Sequence, residues 1–270
     1  MKKVLISFII FGFLFSCSEK ETKSLPTLQK NLVNVKSDSL IPAGLKKLLK
    51  AYPDFLDSAD FNHLYWKDGT VMIYDDGKEK TFEEMLDNPD LEDMFKIHYI
   101  PGRDYENPPP ENYDPGRIRY EPFFKKIYGS TQNEVKNKLV SIEWMPGSTN
   151  SSIIVTSVNG VDAQFRAVSQ ELDKLAEKFK KYVTKTAGTF NWRVIAGTNR
   201  MSAHSYGIAI DINTTYSDYW LWSKSYNYNN QIPIEIVEIF EKYGFIWGGK
   251  WYHYDTMHFE YRPELFETAE

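Results

Sequence analysis

Two short segments near the C-terminus place the strongest demand on the fold. They are Ser202-Ala-His204-Ser-Tyr-Gly207-Ile-Ala-Ile-Asp211 and Tyr254-Asp255-Thr-Met-His258-Phe-Glu260. Together they supply two histidines and two aspartates in an order that suits a catalytic zinc site. Such a site commonly takes three ligands from His, Asp or Glu and keeps a fourth position open for water. His204, Asp211 and His258 are the candidate ligands, and Asp255 is left over as a base for the water. A chain that uses them must bring two distant segments to one point.

Local spacing says how. Gly207 stands between His204 and Asp211, and the run Ile208-Ala-Ile-Asp211-Ile alternates too little for a solvated strand. It reads as a mostly buried one. A glycine ahead of a strand lets the chain turn sharply or approach closely, which puts His204 on the turn and Asp211 in the strand. Residues 254–261 are aromatic-rich and also read as a strand. A regular strand would point Asp255 and His258 to opposite faces. For both to reach one ion, the backbone between them has to bend or bulge.

The pattern Ser-x-His, Gly, Ala, Asp followed by Asp-x-x-His-Phe-Glu resembles peptidase family M15, as does Trp247-Gly-Gly-Lys-Trp251 ahead of it. These are the zinc D-Ala-D-Ala carboxypeptidases and L-alanyl-D-glutamate endopeptidases. The similarity spans roughly residues 120 to 266, and the His-Glu-x-x-His helix of the common metalloproteases is absent. Some members carry Glu where Asp255 stands. The resemblance implies one zinc per chain, peptidoglycan stem peptides as substrate and cleavage next to a D-amino acid. It leaves open whether a terminal D-Ala or the internal L-Ala-D-Glu bond is cut.

A cation is also needed for the oxyanion or for a substrate carboxylate. Arg193, on a strand expected over 189–195, is the first candidate because the family carries its catalytic arginine there. Arg200, nearer His204, is the second. Ser202, Tyr206 and Trp251 are expected to contact substrate. Glu260, two positions after His258, is expected on the same side of the strand as a support for that ligand. His63 and His98 read as hydrogen-bonded structural residues, and His253 as structural or substrate-facing. The rival reading from another class is a non-catalytic zinc-bearing lipoprotein that binds peptidoglycan without cutting it. Asp255 speaks against it, since a retired site has no use for a carboxylate beside the water.

Residues 1–17 combine Lys2 and Lys3, an apolar stretch and Ser16-Cys17. The stretch is too short to span a membrane comfortably and reads as a signal peptide. Leu14-Phe-Ser-Cys17 resembles a bacterial lipobox, which implies lipidation of Cys17 and a membrane anchor in the bacterial cell envelope. No cysteine follows it, so the exported fold has no disulfide. Residues 18–40 read as a flexible tether. A net charge of −5 without a basic stripe argues against nucleic acid as a partner. The 18 Tyr and 7 Trp fit either carbohydrate stacking or a core of large rings.

Residues 41–119 form an expected accessory region. It holds a helix over 41–53, a hairpin around Lys67-Asp68-Gly69, short helices over 81–86 and 90–95, and a Pro-rich strap over 101–118. Residues 120–270 form the expected peptidase domain. Strands over 140–145 and 153–158 precede a long helix whose apolar stripe runs from Val161 to Tyr182, and another helix runs from Pro233 to Gly244. This pattern gives an α+β fold, a mostly antiparallel sheet with packed helices and the zinc site on the sheet.

Overall fold

In the computed structural model, which describes residues 40–266, Pro42 precedes the first helix, α1 (Ala43–Ala51). Leu45 and Leu48 bury its inner face. The signal peptide, Cys17 and the tether short of Leu40 lie outside the described residues. Strands β1 (Leu56–Ala59), β2 (His63–Trp66) and β3 (Val71–Ile73) form an antiparallel sheet in that order. The turn between β2 and β3 is closed by Asp68, which accepts a hydrogen bond from the Thr70 N–H at 3.0 Å. Helix α2 (Phe82–Asp87) starts on a capping box between Thr81 and Glu84, a device that satisfies two orphan N–H groups at once.

Residues 101–118 contain no regular element. They lead into α3 (Glu121–Tyr128) and α4 (Gln132–Lys136). Strands β4 (Leu139–Trp144) and β5 (Ser151–Thr156) pair antiparallel. Helix α5 (Val161–Asp173) buries Val161, Phe165, Val168 and Leu172. It does not continue to Tyr182 as the apolar rhythm suggests. The chain turns extended at Ala176 (ψ 147°), and a separate short helix, α6 (Glu177–Lys180), follows. Leu175 and Phe179 still pack on the core, so the rhythm survives a break in the backbone.

The third sheet carries β6 (Ala209–Asp211), β8 (His258–Tyr261) and β7 (Phe245–Trp247), with β8 in the middle and both pairings antiparallel. Helix α7 (Ile234–Lys242) precedes β7. On the inner face of the sheet Phe259 stacks on Phe240 of α7 at 3.9 Å between centroids, and Phe165 of α5 meets Phe245 at 4.4 Å. Each buried ring of this kind contributes roughly 1.5–3 kcal/mol. Among the described residues the fold is thus α+β, built on three small antiparallel sheets. The expected strand over 189–195 is not formed: this stretch makes one isolated bridge, Val194 to Met201, and hydrogen-bonds to the 202–205 turn, through Asn191 N–H to His204 C=O and Ser202 N–H to Arg193 C=O.

Residues 41–119 share one compact unit with the rest of the described chain. The Tyr52 hydroxyl of α1 donates to Glu264 at 2.8 Å, and Tyr99 donates to Glu241 of α7 at 2.5 Å. Lys250, buried, donates to the Ile100 and Gly102 carbonyls and pairs with Glu241. The start of the Pro-rich strap is thereby tied to the Trp247–Trp251 segment.

Candidate metal centre

The register of β6 against β8 sets Asp211 directly opposite His258. Directly opposed residues share a face, with Cβ atoms about 4.5–5.5 Å apart. Phe259 and Ile210 form the next pair and point into the core, so the two ligand candidates stand on the other face together. His204 comes from a single 3₁₀ turn, Ala203–Tyr206, in which the Ser202 hydroxyl accepts the His204 N–H. Gly207 ends that turn at φ 70°. A Cβ there would lie 2.8 Å from Leu139 Cδ2 and 3.0 Å from the Thr156 N atom. Glycine is needed both for the left-handed backbone and for this close approach.

Three atoms converge. His204 Nε2 lies 3.2 Å from Asp211 Oδ1, His258 Nδ1 lies 3.1 Å from the same oxygen, and the two ring nitrogens are 3.2 Å apart. The opposite nitrogen of each ring is already engaged. His204 Nδ1 sits 2.5 Å from the Thr189 carbonyl oxygen, and His258 Nε2 sits 3.1 Å from Glu260 Oε2. Those acceptors require N–H on Nδ1 of His204 and on Nε2 of His258. What remains is two imidazole lone pairs and a carboxylate oxygen aimed at one another. Three acceptors at this separation repel unless a cation stands among them. A tetrahedral ion with ligands at about 2.0–2.1 Å spaces them roughly 3.3–3.4 Å apart, so the triangle fits such an ion.

The electrostatics agree. Burial pushes the Asp211 carboxyl up, but the two imidazoles outweigh it and hold it well below the usual carboxylate range. Burial opposes a charge on His258, yet its hydrogen bonds to Asp211 and Glu260 raise it to about 10. Without a metal that charge is a proton on the ring, and a bound cation would take its place. Glu260 is fully buried between Arg119 Nη1 (3.1 Å), Arg262 Nη1 (3.0 Å) and His258. Burial alone would raise its carboxyl, and the charge of Arg119 chiefly reverses that. Arg262 continues the chain to Glu264 and Tyr52. The second ligand's support therefore extends to the strap and to α1.

Asp255 reaches the same place by a turn. The expected strand over 254–261 begins only at His258, and the His258 N–H bonds back to the Asp255 carbonyl at 3.1 Å. That turn is the bend that spacing demanded, and it sets both side chains on one cleft. Asp255 Oδ1 is buried and has no hydrogen-bond partner among the described residues, the mark of a polar atom suited to a water or ligand. Burial, with the Asp211 charge second, pushes its carboxyl up to about 6. The two glycines before it have steric reasons as well. A Cβ on Gly248 would come 2.6 Å from the Asp255 carbonyl oxygen.

The cleft has a volume of about 320 Å³, and Ser202, Trp251 and Arg193 line it with the ligand set. Two expected site residues do not. Tyr206 is 1% exposed and lies among Phe124 and Tyr128 in the core. It sits two positions past His204 on a three-per-turn helix and so projects elsewhere. Arg200 lines a neighbouring hollow of about 900 Å³, with its Nε 3.5 Å from Asp87.

Residues outside the expected set also enter the cleft. Arg117 and Arg119 come from the end of the Pro-rich strap. Arg117 closes a turn, its N–H bonded to the Asp114 carbonyl at 3.1 Å, so no regular spacing flagged the pair. The strap is stitched down by Trp251 Nε1 to the Pro115 carbonyl (2.7 Å) and by Tyr252 N–H to the Tyr113 carbonyl (2.8 Å). His253 is turned toward the cleft and not away from it. Its Nδ1 is 2.5 Å from buried Asp114, which also pairs with Arg117 at 2.6 Å.

Comparison with known proteins agrees with the motifs. Residues 196–261 match the M15 peptidase family model described as D-alanyl-D-alanine carboxypeptidase. This segment holds the whole ligand set, Asp255 and Trp251. No curated protein and no solved structure matches the chain significantly.

Proposed function

We propose that this chain is a zinc-dependent peptidase that hydrolyses peptidoglycan stem peptides next to a D-amino acid, as a D,D-carboxypeptidase or an L-Ala-D-Glu endopeptidase. The observation that most supports it is the convergence of three ligand atoms beside the buried Oδ1 of Asp255. His204 Nε2, Asp211 Oδ1 and His258 Nδ1 would hold the ion. When bound, zinc supplies the Lewis acidity that polarises a carbonyl and acidifies a water.

Asp255 then takes the water proton and returns it to the leaving amine, a role worth roughly 10²–10⁴ in rate. Glu260 is committed to two arginines and a ligand and serves to orient His258. Ser202 and Trp251 bound the substrate. Purified muropeptides digested with the protein and weighed by mass spectrometry name the bond: loss of one alanine marks a carboxypeptidase, and a split after L-Ala marks an endopeptidase. Intact muropeptides in the presence of zinc would leave the binding-only reading in its place.

Arg193 is the group for the oxyanion. It faces the cleft and makes no ion pair among the described residues, whereas Arg117 and Arg119 are held by Asp114 and Glu260. A donor that acts in the transition state affects turnover more than binding. Arg193→Ala is therefore expected to lower kcat more than it raises KM, with poor rescue by Lys, which lacks the planar fork. Arg200→Ala should be milder. The reverse ranking in steady-state kinetics would move the role to Arg200.

The N-terminal motif adds an anchor at Cys17, so that the enzyme works on the envelope from a membrane, through a lipid and a polar tether. Wild-type protein is expected in the membrane fraction. Cys17→Ser should be unprocessed or released as soluble protein, and a mature N-terminus other than Cys17 would refute lipidation.

A further inference from the structure

Aromatic rings form an arc along one wall of the cleft. Trp222 meets Tyr219 edge to face at 6.0 Å, Trp220 meets His253 the same way at 4.6 Å, and Phe82 stacks parallel on His253 at 6.2 Å. Tyr219, Trp220, Trp222 and His253 all line the cavity that holds the ligand set. Trp222 is nevertheless 59% exposed. An exposed indole that lines a cavity is accessible to a ligand there.

The arc is fixed to the catalytic segment. Trp220 N–H donates to the Tyr254 carbonyl at 2.9 Å, and Thr256 N–H donates to the Asp218 carbonyl at 2.9 Å. Tyr219 forms an antiparallel bridge with Asp255 itself. Asp218 also accepts the Asn229 N–H at 2.9 Å, which ties down the far end of the loop. An exposed indole is therefore held in register with the proposed base, as a preorganised contact requires.

We infer that this arc is a carbohydrate subsite, with Trp222 as its stacking platform, that holds the glycan strand of the substrate beside the peptide being cut. The identity of the sugar, a β-linked N-acetylhexosamine polymer, rests on the proposed peptidoglycan reading. A pyranose ring with equatorial substituents offers a flat C–H face edged by hydroxyl and amide groups. The loop offers flat ring faces beside the charged and polar groups of the cleft wall, Arg117, Arg193 and Ser202 among them. A lipid surface calls instead for a continuous apolar face on an amphipathic element. Here the rings open into a cleft that also carries Arg117, Arg119, Arg193 and Asp255.

The test titrates the full chain with a β-1,4-linked N-acetylglucosamine tetramer, read by tryptophan fluorescence, and in parallel with vesicles of phosphatidylethanolamine and phosphatidylglycerol. Saturable sugar binding is expected, weakened about tenfold in Trp222→Ala, as loss of one stacking contact implies. Trp222→Phe should retain most of it, and the melting temperature should not move. Absence of sugar binding, equal binding by wild type and Trp222→Ala, or a Trp222 dependence confined to vesicles would each overturn the subsite. Hydrolysis of a sugar-free stem peptide by the wild type reports separately. Turnover without sugar binding sinks only this inference, and sugar binding without turnover sinks only the peptidase reading.

Discussion

Asp255→Asn is expected to retain the metal and to lose turnover by roughly 10²–10⁴. The substitution keeps the shape of a half-buried side chain whose Oδ1 is sealed from solvent, and it removes the proton acceptor. Asp255 is not one of the three converging ligands, and its Oδ1 lacks a donor among the described residues. Metal analysis and steady-state kinetics on the same preparation separate the two effects. Full activity with metal in place would make Asp255 structural. The alternative base nearest in sequence, Glu260, is a poor substitute, because Arg119, Arg262 and His258 already occupy its carboxylate.

His204→Ala is expected to act one step earlier and abolish both metal binding and activity. Losing the supporting partner of a ligand costs roughly 10–100-fold in metal affinity, and losing the ligand itself should cost more. Two further groups are disturbed. The Thr189 carbonyl loses its ring N–H, and Asp211 loses one of the two imidazoles that keep it ionised. Elemental analysis after dialysis against limiting zinc should find the variant empty where the wild type carries one ion. A variant that holds zinc at wild-type stoichiometry would mean that the ion sits elsewhere.

The convergence of His204, Asp211 and His258 was legible because it depends on local rules. A glycine before a buried strand sets two of them, and one bend in the chain admits the third beside Asp255. Helices α1 and α7 were legible for the same reason, with proline at their starts and apolar spacing along them. The strap was not. Arg117, Arg119 and Asp114 meet residues more than a hundred positions away, and no periodicity reports a contact of that range. The end of α5 was missed because no glycine or proline marks it, and Leu175 and Phe179 keep facing the core beyond it. The stretch over 189–195 alternates like a strand, yet its backbone is bonded to the His204 turn, and Val194 stands exposed. Arg193 accordingly reaches the cleft from a loop.

The central claim is that hydrolysis depends on an ion held by His204, Asp211 and His258. The most direct measurement is cleavage of muropeptides by protein stripped with a chelator and verified metal-free by elemental analysis, followed by titration with zinc. Turnover should vanish in the stripped protein and return in full at one equivalent of zinc per chain. Undiminished turnover by the verified metal-free protein would contradict the account.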